Sequence, residues 1–336
     1  MTRFSLPRNL QLLAKHRQFL YGFSALWILF FHWTLTVPRQ GLLIPVHHFQ
    51  KIGACGVEVF LLLTGFGLYH SLNRNPSVGR FYKNRLLRVF LPSVLVMGVF
   101  NLGKYDSLLS YLASSTFLGY WFGAKTLWYI AFILTMYLLY PLIFRLQKKQ
   151  PALPLVPALL AFGVSLLLET ISQDAYREVL RGISRIPVFL LGCYLAPFVH
   201  EGKEIPKAFP AVNLLAIGPL TFLWKVMNAR GYSYSFRFLT YGAYALLAIY
   251  LVCLAAEFCS RRGTFRGLYR WFSFCGGISL EIYLLFERFL DVLAKCAFFQ
   301  QPGSGLWLLN LAATLCTFVF AVLLQRLTAW IAGKIT

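Results

Sequence analysis

Two ionisable residues stand where lipid-facing residues are expected. His32 lies in the apolar stretch YGFSALWILFFHWTLTV, and Glu58 lies in the next one, GACGVEVFLLLTGFGLYHSL. An ionisable group inside a membrane span is costly and by default marks a functional position. A helix rises about 1.5 Å per residue, so a first span entered near residue 19 carries His32 about 20 Å up from that face. A second span entered from the other face near residue 53 leaves Glu58 about 22 Å up in a layer about 30 Å thick. The two are therefore expected at one depth. A carboxylate beside an imidazole fixes its tautomer and raises its basicity, which is what a general base requires. The plainer alternative is a histidine satisfied by a neighbouring hydroxyl, with Glu58 reaching outward.

A second group of residues has the chemistry to bind an anion. Between the second and third apolar stretches runs SLNRNPSVGRFYKNRLLRVFLP. If residues 80–88 are helical, Arg80, Lys83, Asn84 and Arg88 share one broad face, with Arg85 beside it. Such a strip either anchors the chain to lipid phosphates or clamps a phosphorylated donor, since guanidinium groups match phosphate geometry. Glu281 falls near the middle of the ninth apolar stretch with no evident basic partner. Glu287 lies further out, within reach of Arg288 or the interface. Trp128 and Tyr129 fit an interfacial aromatic belt, and His47 and His48 lie in the first outer loop. His16, His70 and His200 have no acidic neighbour that spacing alone supplies.

What must position these residues is a membrane bundle. The chain of 336 residues is 58% hydrophobic and 13% charged, with a mean hydropathy of +0.64. Ten spans are predicted, at about 19–36, 53–72, 86–103, 127–146, 153–169, 183–199, 209–227, 236–258, 271–295 and 306–333, each long enough to cross a hydrocarbon core or nearly so. The expected fold is all-α, a polytopic integral membrane protein with about ten transmembrane helices. The first stretch lacks a small-residue cleavage site and reads as a span, not a removable signal peptide. A net charge of +21 raises the possibility of nucleic-acid binding, but the basic residues sit between apolar spans, where membrane topology places them. Dense clusters at Arg3, Arg8, Lys15 and Arg17, then Arg74 to Arg88, then Arg261 to Arg270 put both termini in the cytoplasm. The seven cysteines form no CxxC and no metal-ligand spacing, and they read as small hydrophobes. Of the outer connections, 101–126 is aromatic enough for an interfacial or re-entrant segment. The polar 169–185 reads mostly as a solvated loop.

Several of these segments, in order, resemble the acyltransferase 3 family of bacterial membrane O-acyltransferases acting on cell-surface polysaccharides. YGFSALWILFFHW is similar to the family's first span. GVEVFLLLTGFGLYHS is similar to its second, an acidic residue followed by an SGF-like tripeptide, here Thr64-Gly65-Phe66. FYKNRLLRVFLP resembles its arginine-rich approach to the third span, and LWYIAFILTMYLLYP and GGISLEIYLLFE look like its later signatures. The resemblance implies transfer of an acyl group, usually acetyl, from cytosolic acyl-CoA to a hydroxyl of an envelope carbohydrate. It implies catalytic roles for His32 and Glu58, donor binding by Arg85 and Arg88 with Lys83 beside them, and no permanently bound cofactor, acetyl-CoA being the donor substrate. Two positions depart from the family: Tyr21 stands where an arginine often precedes the histidine by eleven residues, and Phe286-Glu287 stands where a histidine often follows YLL. Eleven residues is close to three helical turns, so Tyr21 shares the His32 face, and Arg17 lies one turn earlier on nearly the same side.

The expected protein is one membrane acyltransferase domain over residues 1–336, without a fused soluble partner. His32 acts as base with Glu58 orienting it, or transfer runs through an acyl-histidine. Its partners are acyl-CoA, a carbohydrate or other envelope acceptor and membrane lipid. Two rival readings are a transporter or flippase for a surface-polysaccharide precursor, although no inverted repeat is evident, and a membrane sensor that has lost catalysis.

Overall fold

In lipid, a chain must satisfy its backbone groups within itself, and for long apolar stretches the helix is the direct solution. The computed structural model describes residues 10–123, 127–171, 173–300 and 304–335, and every regular element among them is helical. Arg3 and Arg8 of the expected first basic cluster lie outside the described residues. Among the described residues, six helical segments are long and apolar enough to cross a membrane: Gly41–Arg74, Trp128–Lys149, Tyr176–His200, Phe209–Ala229, Tyr234–Arg261 and Gly305–Ile335. The other expected spans fall on shorter or interrupted helices: Arg17–Phe31, Leu91–Phe100 with the turn before it, Leu155–Ile171, and the pair Arg266–Gly277 and Ser279–Leu293. The chain is a multi-pass membrane protein.

Helix Gly56–Arg74 runs through the middle and is buried on most sides. Its neighbours approach closely because glycines sit at the crossings. A Cβ on Gly65 would lie 2.6 Å from the backbone nitrogen of Cys193, and one on Gly192 would lie 2.6 Å from the Leu62 carbonyl oxygen. Helix Arg17–Phe31 meets Arg266–Gly277 in the same way, where a Cβ on Gly22 would land on the Phe272 carbonyl and one on Gly276 on that of Gln18. Small residues at crossings are the usual means of packing helices in lipid, where the hydrophobic effect does little to hold helix against helix.

The first span is shorter than expected. Instead of continuing to residue 36, the helix stops at Phe31, and His32 caps it with its N–H shared between the Ile28 and Leu29 carbonyls. The β-branched Thr34, Thr36 and Val37 followed by Pro38 disfavour another turn. The groups freed there find side-chain partners. Buried Gln50 donates to the Phe30 and Leu35 carbonyls and accepts from Val37 N–H, and buried Asn310 accepts from Thr34 N–H.

A local irregularity marks the third span. Pro92 has no N–H to offer the Arg88 carbonyl, and the helix widens into a π-turn over Leu86–Phe90, with Leu91 N–H bonding the Leu86 carbonyl. Such single π-turns recur at functional sites.

The connections at 101–126 and 169–185 are more ordered, over their described residues, than expected. Helix Leu108–Ser115 and the turn Leu118–Phe122 occupy the first, with Tyr120 fully buried. Helix Gln173–Ile183 occupies the second. Two of its flanking charges are buried and not solvated: Glu169 accepts from the backbone N–H groups of Tyr234 and Ser235, and Arg185 is taken up below.

Candidate active site

A cavity of about 570 Å³ opens beside the start of Arg17–Phe31 and the end of Gly56–Arg74. Along the central helix its wall is Val57, Phe60, Thr64, Gly67, Leu68, Ser71 and Arg74, one face at helical spacing that extends about 25 Å. Arg17, Arg74, Arg85 and Arg88 line it, and none of the four forms an ion pair among the described residues. Arg85 rests on the rings of Phe81 and Tyr137, 5.3 and 5.5 Å from their centroids. His70 adds an imidazole, and Glu281 is the one acidic residue of the wall. Four unpaired guanidinium groups around one cavity are suited to an anion with several charges.

Further in, the cavity is closed by Ile28, Phe60 and Tyr283. These three also border a recess of about 20 Å³ whose remaining wall is Ala25, Leu29, His32, Ile282, Phe286 and Glu287. The wall is braced by aromatic contacts. Phe60 stacks on Tyr21 at 5.3 Å between centroids, and Tyr283 meets Tyr129 edge-on at 5.2 Å.

At the recess His32 finds a carboxylate, though not the one expected. Its Nδ1 lies 3.0 Å from Oε1 of Glu287, with the two side chains 34% and 39% exposed. A carboxylate only accepts, so a neutral ring carries its proton on Nδ1 and keeps the Nε2 lone pair free. Glu287 also has Arg288 at 3.8 Å. Glu58 is turned elsewhere. It lies on the stripe with Leu62 and Gly65 that faces helix Ile186–His200, and its Oε1 accepts from Nε of Arg185 at 2.9 Å. Both side chains are buried, and the Arg185 guanidinium is held between Trp128 and Phe238, 4.2 and 3.5 Å from the ring centroids. The expected His32–Glu58 pair is not formed. Depth placed both residues at one level, but rotation about the helix axis sends them to different neighbours.

The basic strip divides. Arg85 and Arg88 enter the cavity, whereas Lys83 lies outside it and donates to the Ile335 carbonyl at 3.0 Å. Tyr21 and Arg17 both line the cavity on the face leading to His32, and Phe286 walls the recess. Trp128 belongs to the Arg185 site, and Tyr129 to the cavity wall. His47 bonds the Val37 carbonyl in the loop after His32.

The model of the acyltransferase 3 family, an acyltransferase domain, matches residues 19–326. This chain is a member of the acyltransferase 3 family. The match runs from before His32 to beyond Glu287 and covers the cavity lining except Arg17, Thr328, Ala329 and Ala332. No curated protein and no solved structure matches the chain. As an acyltransferase 3 member it is a membrane acyltransferase.

One buried polar cluster lies apart from the cavity. His16, at the break between Gln11–Lys15 and Arg17–Phe31, has Nε2 2.6 Å from Oε2 of Glu257 and Nδ1 3.1 Å from the Tyr269 hydroxyl. Lys15 and Arg261 each reach the same carboxylate at 2.6 Å. Sequence spacing gave His16 no acidic partner, because Glu257 is 241 residues away and only the basic ends of both helices hint at a meeting.

Proposed function

We propose that the protein transfers a short acyl group from a coenzyme A thioester to a hydroxyl of a cell-envelope carbohydrate. The observation that carries this reading is one path with two ends. At one end are four arginines without carboxylate partners among the described residues, and at the other is a histidine held by a carboxylate. The donor's phosphates bind Arg17, Arg74, Arg85 and Arg88, and its thioester arm follows the cavity toward Ile28, Phe60 and Tyr283. The basic end faces the cytosol, in keeping with the density of Lys and Arg there.

In the transfer step, Nε2 of His32 takes the proton of the acceptor hydroxyl while that oxygen attacks the thioester carbonyl. The new C–O bond forms, the C–S bond breaks, and the proton passes to the departing thiolate to give an ester and free coenzyme A. Glu287 holds the ring and stabilises its protonated form during the step.

The test is transfer of label from acetyl-CoA to envelope carbohydrate in membrane vesicles. His32→Ala is expected to insert normally and to lose at least about 100-fold in rate, the lower range of a general base's contribution. Undiminished transfer by that variant overturns the mechanism. Label that crosses the membrane without becoming covalently bound favours transport.

A further inference from the structure

A helix break shapes one side of the cavity. Helix Arg266–Gly277 ends and Ser279–Leu293 begins there, and the wall on both sides of the break is Gly276, Gly277, Ser279, Leu280 and Glu281. The last helix holds the break in place, with Gln325 Nε2 donating to the Gly277 carbonyl at 2.8 Å. Glu281 stands in the first turn of the second helix, whose positive end suits a carboxylate. That turn accommodates the charge without using it up. Glu281 is 7% exposed, and its carboxylate makes no hydrogen bond or ion pair with another described residue. Arg88 acts on it electrostatically from beyond ion-pair distance.

The wall therefore presents two kinds of chemistry to a ligand. Guanidinium groups donate and suit phosphates, whereas a carboxylate only accepts. A ligand that satisfies Glu281 must bring an N–H or O–H to it, and neither an ionised phosphate nor a thioester has one. The arm of coenzyme A between its sulfur and its phosphates carries two amide N–H groups. Their levels differ. Glu281 precedes Glu287, which holds His32, by six residues, about 9 Å along the helix. In an extended chain the first amide nitrogen, three bonds from the sulfur, lies about 3.5 Å away, and the second, seven bonds from it, about 8 Å.

We propose that Glu281 accepts the N–H of the donor's second amide and so sets how far the arm reaches toward His32. This rests on the acyltransferase mechanism above and adds to it a residue that positions the donor. The four arginines hold the phosphates, and Glu281 fixes the arm between them and the reacting carbonyl.

The experiment measures transfer in vesicles from acetyl-CoA and from its analogue in which oxygen replaces that N–H, for the wild type, Glu281→Ala and Glu281→Met. A hydrogen bond to a charged group is worth about tenfold or more, so the wild type is expected to prefer acetyl-CoA by at least about tenfold in kcat/KM. Both variants are expected to lose that preference through a fall with acetyl-CoA alone. Transfer from the analogue at no less than the wild-type rate reports that they have folded. A wild type indifferent to the replacement overturns the assignment, as do variants that keep its preference. So does a lower KM for acetyl-CoA in the variants, the result expected of a carboxylate that only offsets the arginines. If neither variant folds, Glu281 serves the helix end and the assignment falls. A wild type that transfers from neither donor removes the acyltransferase mechanism itself, a result distinct from all of these.

Discussion

Two carboxylates, Glu287 and Glu58, have opposite assignments, and the difference follows from what each one touches. Glu287 is part-exposed beside His32, so removing its charge leaves no buried ion behind. Glu287→Gln is expected to slow acyl transfer by more than about tenfold, through loss of imidazole orientation and charge stabilisation, with little change in thermal unfolding. Glu58 is fully buried against Arg185, and breaking such a pair by removing one partner costs about 3–5 kcal/mol. Glu58→Gln is expected to lower the melting temperature of the detergent-solubilised protein. Replacing both partners, Glu58→Leu with Arg185→Met, should recover part of that loss. If Glu58→Gln instead unfolds like the wild type yet loses transfer, Glu58 belongs to the catalytic machinery and the division fails. His32 stands out in the sequence as an ionisable group where lipid-facing residues belong, and the structure places it at the recess. Its partner does not stand out, because depth can be counted along one helix whereas rotation depends on neighbours. The spacing of Glu58 with Leu62 and Gly65, against that of Val57 with Phe60 and Thr64, was the available signal.

At the level of helices, the site depends on close backbone contact behind it. Gly22 and Gly276 hold Arg17–Phe31 against Arg266–Gly277, and the same first helix carries Arg17, Tyr21, Ile28 and His32 along its cavity face. Gly276→Val must push the two helices apart, because the atoms it meets are backbone and cannot rotate away. It is expected to reduce both the yield of folded protein and acyl transfer, whereas Gly79→Ala, with nothing within 4 Å, should leave both unchanged. Normal folding and transfer by Gly276→Val would show that this contact does not set the position of His32. Helix identity was readable from apolar length, and all ten expected spans fall on helices. Helix ends were read less well. The break at His32 rests on Gln50 and Asn310, which are distant in sequence and carry no end signal of their own.

Across the whole molecule, the His16 cluster ties the first helices to Tyr234–Arg261 and Arg266–Gly277 at the basic end. Burial holds the His16 pKa below its ordinary value of 6.5, although the Glu257 hydrogen bond acts in the opposite direction. The hydrogen bonds suit a neutral ring, with Nε2–H donating to Glu257 and the Tyr269 hydroxyl donating to Nδ1. An unfolded His16 binds its proton more readily than a folded one, so this contribution to stability is complete above pH 6.5 and is lost as pH falls below it. The melting temperature is expected to decline over that acidic range, and the decline should be shallower in His16→Gln, which retains a donor but does not titrate. Equal slopes in the two proteins would remove His16 as the cause.

The distance between the arginines and His32 also bears on turnover. Arg17 and His32 are fifteen residues apart, about 22 Å along the helix, so the proposed phosphate contacts are made to a part of the donor that the reaction leaves unaltered. Such contacts hold substrate and product alike and do nothing to speed the chemical step. Spent coenzyme A should therefore occupy the cavity nearly as tightly as its thioester. With a coenzyme A thioester as the proposed donor, free coenzyme A is expected to be a competitive inhibitor, and the rate of transfer to track the ratio of acylated to free carrier, not the amount of either alone.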